Sequence, residues 1–162
     1  MITTESTCQD WRNPPDLFEK LNEIYNFDCD VCASDENHLC DKYFTKERSA
    51  LDPGAVWGER CFMNPPYGKE LKHFVKAARD YVRRNTTSIV VCLIPARTSA
   101  HWFHDLVFDS ACGLTFIDGR LKFSGNKHVA PFASCIIEYR WNERTGMNLG
   151  LDLGRTVWMV DL

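Results

Sequence analysis

The chain has 162 residues, 44% of them hydrophobic and 25% charged, which suits one globular domain spanning 1–162 and excludes disordered or fibrous classes. The formal net charge of −3 conceals an asymmetry: residues 1–59 carry 5 Lys/Arg against 13 Asp/Glu, whereas residues 60–140 carry 12 against 6. No apolar run nears the roughly 20 residues that span a bilayer, and MITTESTCQD has no basic start or apolar stretch, so neither membrane span nor signal peptide is expected and the location reads as cytoplasmic.

In chain order, DLFEKLNEIY (16–25) places Leu17, Phe18, Leu21, Ile24 and Tyr25 at helical spacing. Asn13 is a candidate N-cap, with the following prolines in the first turn. FDCDVCA (27–33) alternates like a strand, Phe27, Cys29 and Val31 on one face and Asp28, Asp30 and Cys32 on the other. Residues 34–59 are polar and irregular, with at most short elements. RCFM (60–63) reads as a short strand stopped by the rigid NPPYG. ELKHFVKAARDYV (70–82) is an amphipathic helix with Leu71, Phe74, Val75, Ala78 and Val82 inward. TSIVVCLIP (87–95) is a continuous buried strand, HWFHDLVF (101–108) a helix, and GLTFIDG (113–119), PFASCIIEYR (131–140) and RTVWMV (155–160) are strands. Alternating strands and helices predict an α/β, mostly parallel sheet; the last strands, with no helix between them, predict an antiparallel edge.

Asn-Pro-Pro occurs twice, at Asn13 and at Asn64. The first precedes an amphipathic run and reads as a helix start. The second follows a buried strand and precedes Tyr67 and Gly68. In open α/β sheets ligands bind at the carboxyl ends of strands. The residue types there suit an exocyclic amino group on a nucleobase, whose lone pair is delocalised into the ring. Two acceptors for its N–H groups, the Asn64 side-chain carbonyl and the Pro65 backbone carbonyl, let that nitrogen pyramidalise. Pro65 and Pro66 fix the backbone and hold the acceptors ready, and Tyr67 offers a ring for an extruded base.

FMNPPYG resembles the Asn/Asp-Pro-Pro-Tyr/Phe motif of amino-group methyltransferases. The surrounding blocks resemble the phage-type DNA N6-adenine methyltransferases (Dam family): W-x-x-P-x-x-L-F from Trp11 to Phe18, FDCDVCAS at 27–34, Asn37 and Cys40, LIPARTSAHWFH at 93–104 and GRLKFSGNKHVAPFAS at 119–134. That resemblance covers roughly residues 11–138. It implies a Rossmann-like methyltransferase fold, S-adenosylmethionine as cofactor, DNA as partner and direct in-line transfer to adenine N6 after base flipping. It implies catalytic roles for Asn64, Pro65, Pro66 and Tyr67, and cofactor binding by Trp11, Pro14, Asp28, Asp30, Cys32, Ala33, Ser34 and Asn37. The first-strand turn departs from the usual methyltransferase pattern, having Ala33 and Ser34 where tight turns elsewhere carry glycine.

Lys69, Arg97, Arg120, Lys122 and Lys127 are the candidate DNA-binding cations, and Lys72, Lys76, Arg79 and Arg83 form a stripe at helical spacing. Phe123 and Phe132 are core residues or walls of the base pocket. No metal is expected, although Cys29, Cys32, His38 and Cys40 admit a zinc reading. The motif alone also admits cytosine N4 as acceptor, or a non-catalytic nucleic-acid-binding module. With little chain left for target recognition, relaxed or short-site specificity is expected.

Overall fold

The structure is a computed structural model that describes residues 14–123, 128–141 and 157–159. Trp11, Asn13 and Lys127 lie outside the described residues, as do the ends of the expected 155–160 strand.

The chain forms helix α1 (Pro15–Tyr25), strands β1 (Cys29–Asp30), β2 (Lys42–Tyr43) and β3 (Arg60–Met63), helix α2 (Leu71–Arg84), strand β4 (Ile89–Pro95), a short helix α3 (His101–Phe103) running into a π turn at His104–Phe108, and strands β5 (Gly113–Ile117), β6 (Ser134–Arg140) and β7 (Val157–Met159). All seven strands share one sheet in the order β2-β1-β3-β4-β6-β5-β7. The pairs β1–β2, β1–β3 and β3–β4 are parallel, and β4–β6, β6–β5 and β5–β7 are antiparallel. Five strands, β1 to β5, therefore point one way. The antiparallel β6 is inserted between β4 and β5, and β7 forms the antiparallel edge.

Register places Asp30, Phe62, Val91 and Glu138 on one face and Cys29, Cys61, Val90 and Tyr139 on the other. α1 covers the first face. Phe18 meets Phe62 edge-on at 5.1 Å, and the Tyr25 hydroxyl donates to Glu138. α1 ends because Asn26 turns left-handed (φ 49°) and caps the helix through its N–H to Asn22. Ile24, counted inward by spacing, is exposed. α2 covers the second face with Leu71, Phe74, Val75, Ala78, Tyr81 and Val82, and the Tyr81 ring stacks on Trp57 at 4.6 Å.

Two expectations need correction. The 27–33 stretch pairs as a strand only at Cys29–Asp30, and Cys29, Asp30 and Val31 are all buried, because the strand lies within the sheet with both faces covered. The helix expected at 101–108 is one α turn followed by a π turn, in which the Leu106 carbonyl accepts from the buried Tyr139 hydroxyl.

Candidate active site

Chain order reverses between β1 and β3. From β1 the chain moves outward to β2, then returns to β3 on the far side of β1. The crevice between the carboxyl ends of β1 and β3 is therefore the topological switch point, where open α/β sheets bind ligands. The loop after β1 enters it with Cys32, Ala33 and Ser34, and the loop after β3 enters it with Asn64, Pro65, Pro66 and Tyr67.

Asn64 and Pro65 are buried directly after β3. The Tyr67 hydroxyl donates to Asn64 Oδ1 at 2.8 Å and approaches the Leu93 carbonyl of β4 at 3.3 Å. That bond turns the amide oxygen toward the tyrosine and ties the end of β3 to β4. Burial pushes the Tyr67 phenol well above its ordinary pKa, so it remains a donor. Its ring is only 6% exposed, set edge-on to Phe132 at 5.4 Å and Phe123 at 6.0 Å. The open stacking face expected for Tyr67 is thus closed in this structure. Phe123 and Phe132, left as core or pocket wall by the sequence, are both packed against the motif tyrosine.

The Asp30 carboxylate, 1% exposed, accepts from the backbone amides of Cys32 and Leu39, both at 3.2 Å. It ties the start of the loop to its end nine residues on. Burial pushes its pKa up to about 6 despite those two bonds. Ala33 donates to the Phe44 carbonyl beyond β2 at 2.8 Å, and Asn37 donates to the Ser34 carbonyl at 3.1 Å, closing the turn without a glycine. Cys32 and Asn37 are half-buried and Ser34 is exposed. Pro14 is the N-cap of α1 and half-buried.

Asp28 is not part of this crevice. It sits before β1, at the amino end of the sheet, and accepts from the amides of Glu59 at 3.1 Å and Arg60 at 3.0 Å. A partner-rich carboxylate of this kind pins the starts of β1 and β3 together. Gly58 makes room for it, since a Cβ there would lie 1.9 Å from Asp28 Oδ1. Alternation put Asp28 and Asp30 on the same face; their opposite roles follow from which end of the strand each occupies.

Among the DNA-binding candidates, Lys69 is exposed two residues after Tyr67, and Arg97 Nη2 donates to the Tyr67 carbonyl at 3.1 Å. Arg120 and Lys122 are exposed and precede Phe123, which carries them toward Tyr67. The helical stripe divides. Asp80 holds Lys76 at 2.6 Å and Arg79 at 2.8 Å, and Arg83 lies in the last turn of α2, far from the loop. One residue was given no role by the sequence: the Ser134 hydroxyl, opposite Pro95 where β4 ends, is buried without a hydrogen-bond partner among the described residues. Nothing in its sequence context marks it.

Of the zinc candidates, His38 is otherwise engaged. The His38 ring stacks on Tyr43 at 4.2 Å, and its Nδ1 lies 3.0 Å from the Cys40 carbonyl. Among the described residues no three His, Cys, Asp or Glu side chains gather as a metal site would.

A mostly parallel sheet with an inserted antiparallel strand, carrying Asn-Pro-Pro-Tyr at its switch point, defines a Rossmann-like methyltransferase fold. The family model described as DNA N-6-adenine-methyltransferase (Dam) matches residues 2–137, and the chain belongs to that family. It is 32% identical over 129 residues to the DNA N-6-adenine-methyltransferase of Haemophilus phage HP1, covering 77% of this chain and 72% of that protein. It is also 32% identical over 124 residues to the DNA N-6-adenine-methyltransferase of Escherichia phage T1, covering 74% of this chain and half of that protein.

Proposed function

We propose that this chain transfers a methyl group from S-adenosylmethionine to the N6 amino group of adenine in DNA, with Asn64, Pro65, Pro66 and Tyr67 as its catalytic loop. The observation that carries this reading is the Asn64 carbonyl oxygen, fixed by Tyr67 at 2.8 Å beside the switch point of a Dam-family chain.

The donor set near the crevice fits a cationic cofactor bearing ribose hydroxyls. Asp35, Glu36 and Asp41 are exposed carboxylates on the loop between β1 and β2, and the buried Asp30 braces that loop from inside. Pro14, Cys32, Ala33, Ser34 and Asn37 would line the cofactor, with Trp11 contributed from the N-terminal segment. When bound, S-adenosylmethionine supplies an electrophilic methyl group on sulfur.

The protein's part is to prepare the acceptor nitrogen. Asn64 Oδ1 has two lone pairs, so it can keep the Tyr67 hydroxyl and accept one adenine N–H as well. The Pro65 carbonyl accepts the other N–H. With both hydrogens held, the nitrogen lone pair leaves conjugation with the ring and points at the methyl group. That lone pair would form the N–C bond as the C–S bonding pair leaves with the donor's sulfur, now a neutral thioether, and the nitrogen would then shed one proton to water, with no covalent enzyme intermediate. Tyr67 stacks on the flipped base once Phe123 and Phe132 make room for it. Lys69, Arg97, Arg120, Lys122 and Lys127 hold the phosphates.

No helix among the described residues is long and apolar enough to cross a membrane. The site of action is wherever the DNA is, the host cytoplasm if the chain is phage-encoded. Nucleoside analysis of DNA incubated with the protein and labelled S-adenosylmethionine tests the reaction. N6-methyladenine is expected, and N4-methylcytosine instead would reassign the acceptor.

A further inference from the structure

We propose a second nucleotide-binding subsite beside the catalytic loop, which holds a DNA nucleotide neighbouring the flipped adenine by its phosphate and by stacking on Trp102. The proposal rests on the DNA reading above and adds a subsite to it. A cavity of about 390 Å³ opens where the catalytic loop meets α2 and α3, lined by Lys69, Lys72, His73, Arg97 and Trp102 together with Gly68 and Leu71. It adjoins the proposed chemistry: Gly68 follows Tyr67, and Arg97 reaches back to the Tyr67 carbonyl at 3.1 Å.

Its lining is chemically one-sided. Two lysines, an arginine and an imidazole surround it, and no carboxylate is among its lining residues. Glu70, the acidic residue between Lys69 and Leu71, is exposed and not among the lining residues. Further along α2, Lys76 and Arg79 are paired with Asp80, whereas Lys69 and Lys72 form no ion pair among the described residues. Cations left unpaired around a concavity suit a phosphate. Trp102 supplies what a bare phosphate site lacks. It is half-buried and held edge-on at 5.6 Å against Phe103, which is fully buried, so an aromatic surface is fixed at the cavity wall. Every base has a π face, and such a platform accepts any of the four. The volume is at the small end of ligand pockets, room for one nucleotide and not a duplex.

The test compares binding of fluorescein-labelled dT12 with a twelve-unit abasic oligomer carrying the same phosphates. Wild type should prefer dT12 by about 5- to 150-fold, the range for one stacked base. Trp102→Ala should narrow that preference by about fivefold or more, the share of one stacked base, and Trp102→Phe should restore it. Lys72→Ala should weaken both oligomers alike and reduce the log–log salt slope by about 0.7, one single-strand phosphate contact. No preference in wild type, a preference undiminished by Trp102→Ala, or unchanged binding by Lys72→Ala each overturns the subsite. Methyl transfer by the wild-type protein is scored separately in the same preparations. Its absence overturns the enzymatic reading, and its presence beside a failed Trp102 series overturns the subsite alone.

Discussion

Asn64 shows how one hydrogen bond can set the orientation of a buried amide. An asparagine amide has an acceptor end and a donor end, and only the acceptor end helps a nucleobase amino group. The Tyr67 hydroxyl, buried and protonated, selects the acceptor end at 2.8 Å. Tyr67→Phe keeps the ring and loses that selection. It should lower kcat by about tenfold, the worth of about one hydrogen bond, with KM for DNA little changed; steady-state kinetics checks both, and unchanged kcat removes the positioning role. Asp30 makes a separate prediction about pH. Its pKa is raised from 3.8 to about 6, so between those values the folded chain holds a proton that the unfolded chain has lost. Stability from this residue is complete below about pH 4, falls as pH rises to about 6, and is level above that. At about 1.4 kcal/mol per unit the fall amounts to about 2–3 kcal/mol. Asp30→Asn should flatten that part of the profile in denaturant titrations run from pH 4 to 7. The place of Asn64 and Tyr67, on a rigid loop directly after a buried strand, was legible in the sequence because two prolines after a short apolar run leave few alternatives. The closed tyrosine ring was not, since it depends on Phe123 and Phe132, more than fifty residues away in sequence.

Single elements were legible where periodicity was strong. α2 has its apolar residues in one stripe and β4 is buried from Val90 to Pro95, so both elements were legible, although α2 runs on to Arg84 and β4 starts only at Ile89. At β1 the alternation was legible but not its extent: pairing stops at Cys29–Asp30, and Asp28 and Asp30 serve backbone amides at opposite ends. β2, a two-residue edge strand, has no pattern long enough to read. The π turn at 104–108 depends on Tyr139 reaching Leu106, a contact across 33 positions. The clasp at the amino ends of β1 and β3 can be broken by one methyl group. Gly58→Ala would place a Cβ 1.9 Å from Asp28 Oδ1 and 2.7 Å from Cys29 Cβ, so Asp28 or the strand must shift. A cost of about 1–3 kcal/mol is expected for such overpacking. Thermal unfolding should show it at about 2–4 °C per kcal/mol, and an unchanged Tm would mean that the clasp carries no stability.

For the whole molecule, topology turns an uneven charge pattern into two neighbouring surfaces. The acidic first third supplies the loop beyond β1 with Asp35, Glu36 and Asp41, and the basic middle supplies Lys69, Lys72, Arg97, Arg120 and Lys122. A net charge of −3 alone argues against nucleic acid; the split argues for it. Binding carried by those cations should weaken steeply with salt, log affinity for duplex DNA falling by about 0.9 per phosphate contact for each unit of log salt. A flat salt dependence in equilibrium binding would contradict phosphate contacts by these residues. The fold class was legible from the order of elements, whereas the switch point beside Asn64 emerges only from strand order, which no local pattern encodes. The central claim is that Asn64 prepares adenine N6 for methylation. Its most direct measurement is incorporation of labelled methyl groups from S-adenosylmethionine into DNA by wild type and by Asn64→Ala, with the labelled nucleoside identified. Wild type should yield N6-methyladenine, and Asn64→Ala should be slower by about 10²- to 10³-fold, as for the loss of one preorganised polar contact to the reacting group. Equal incorporation by the two proteins would contradict that claim.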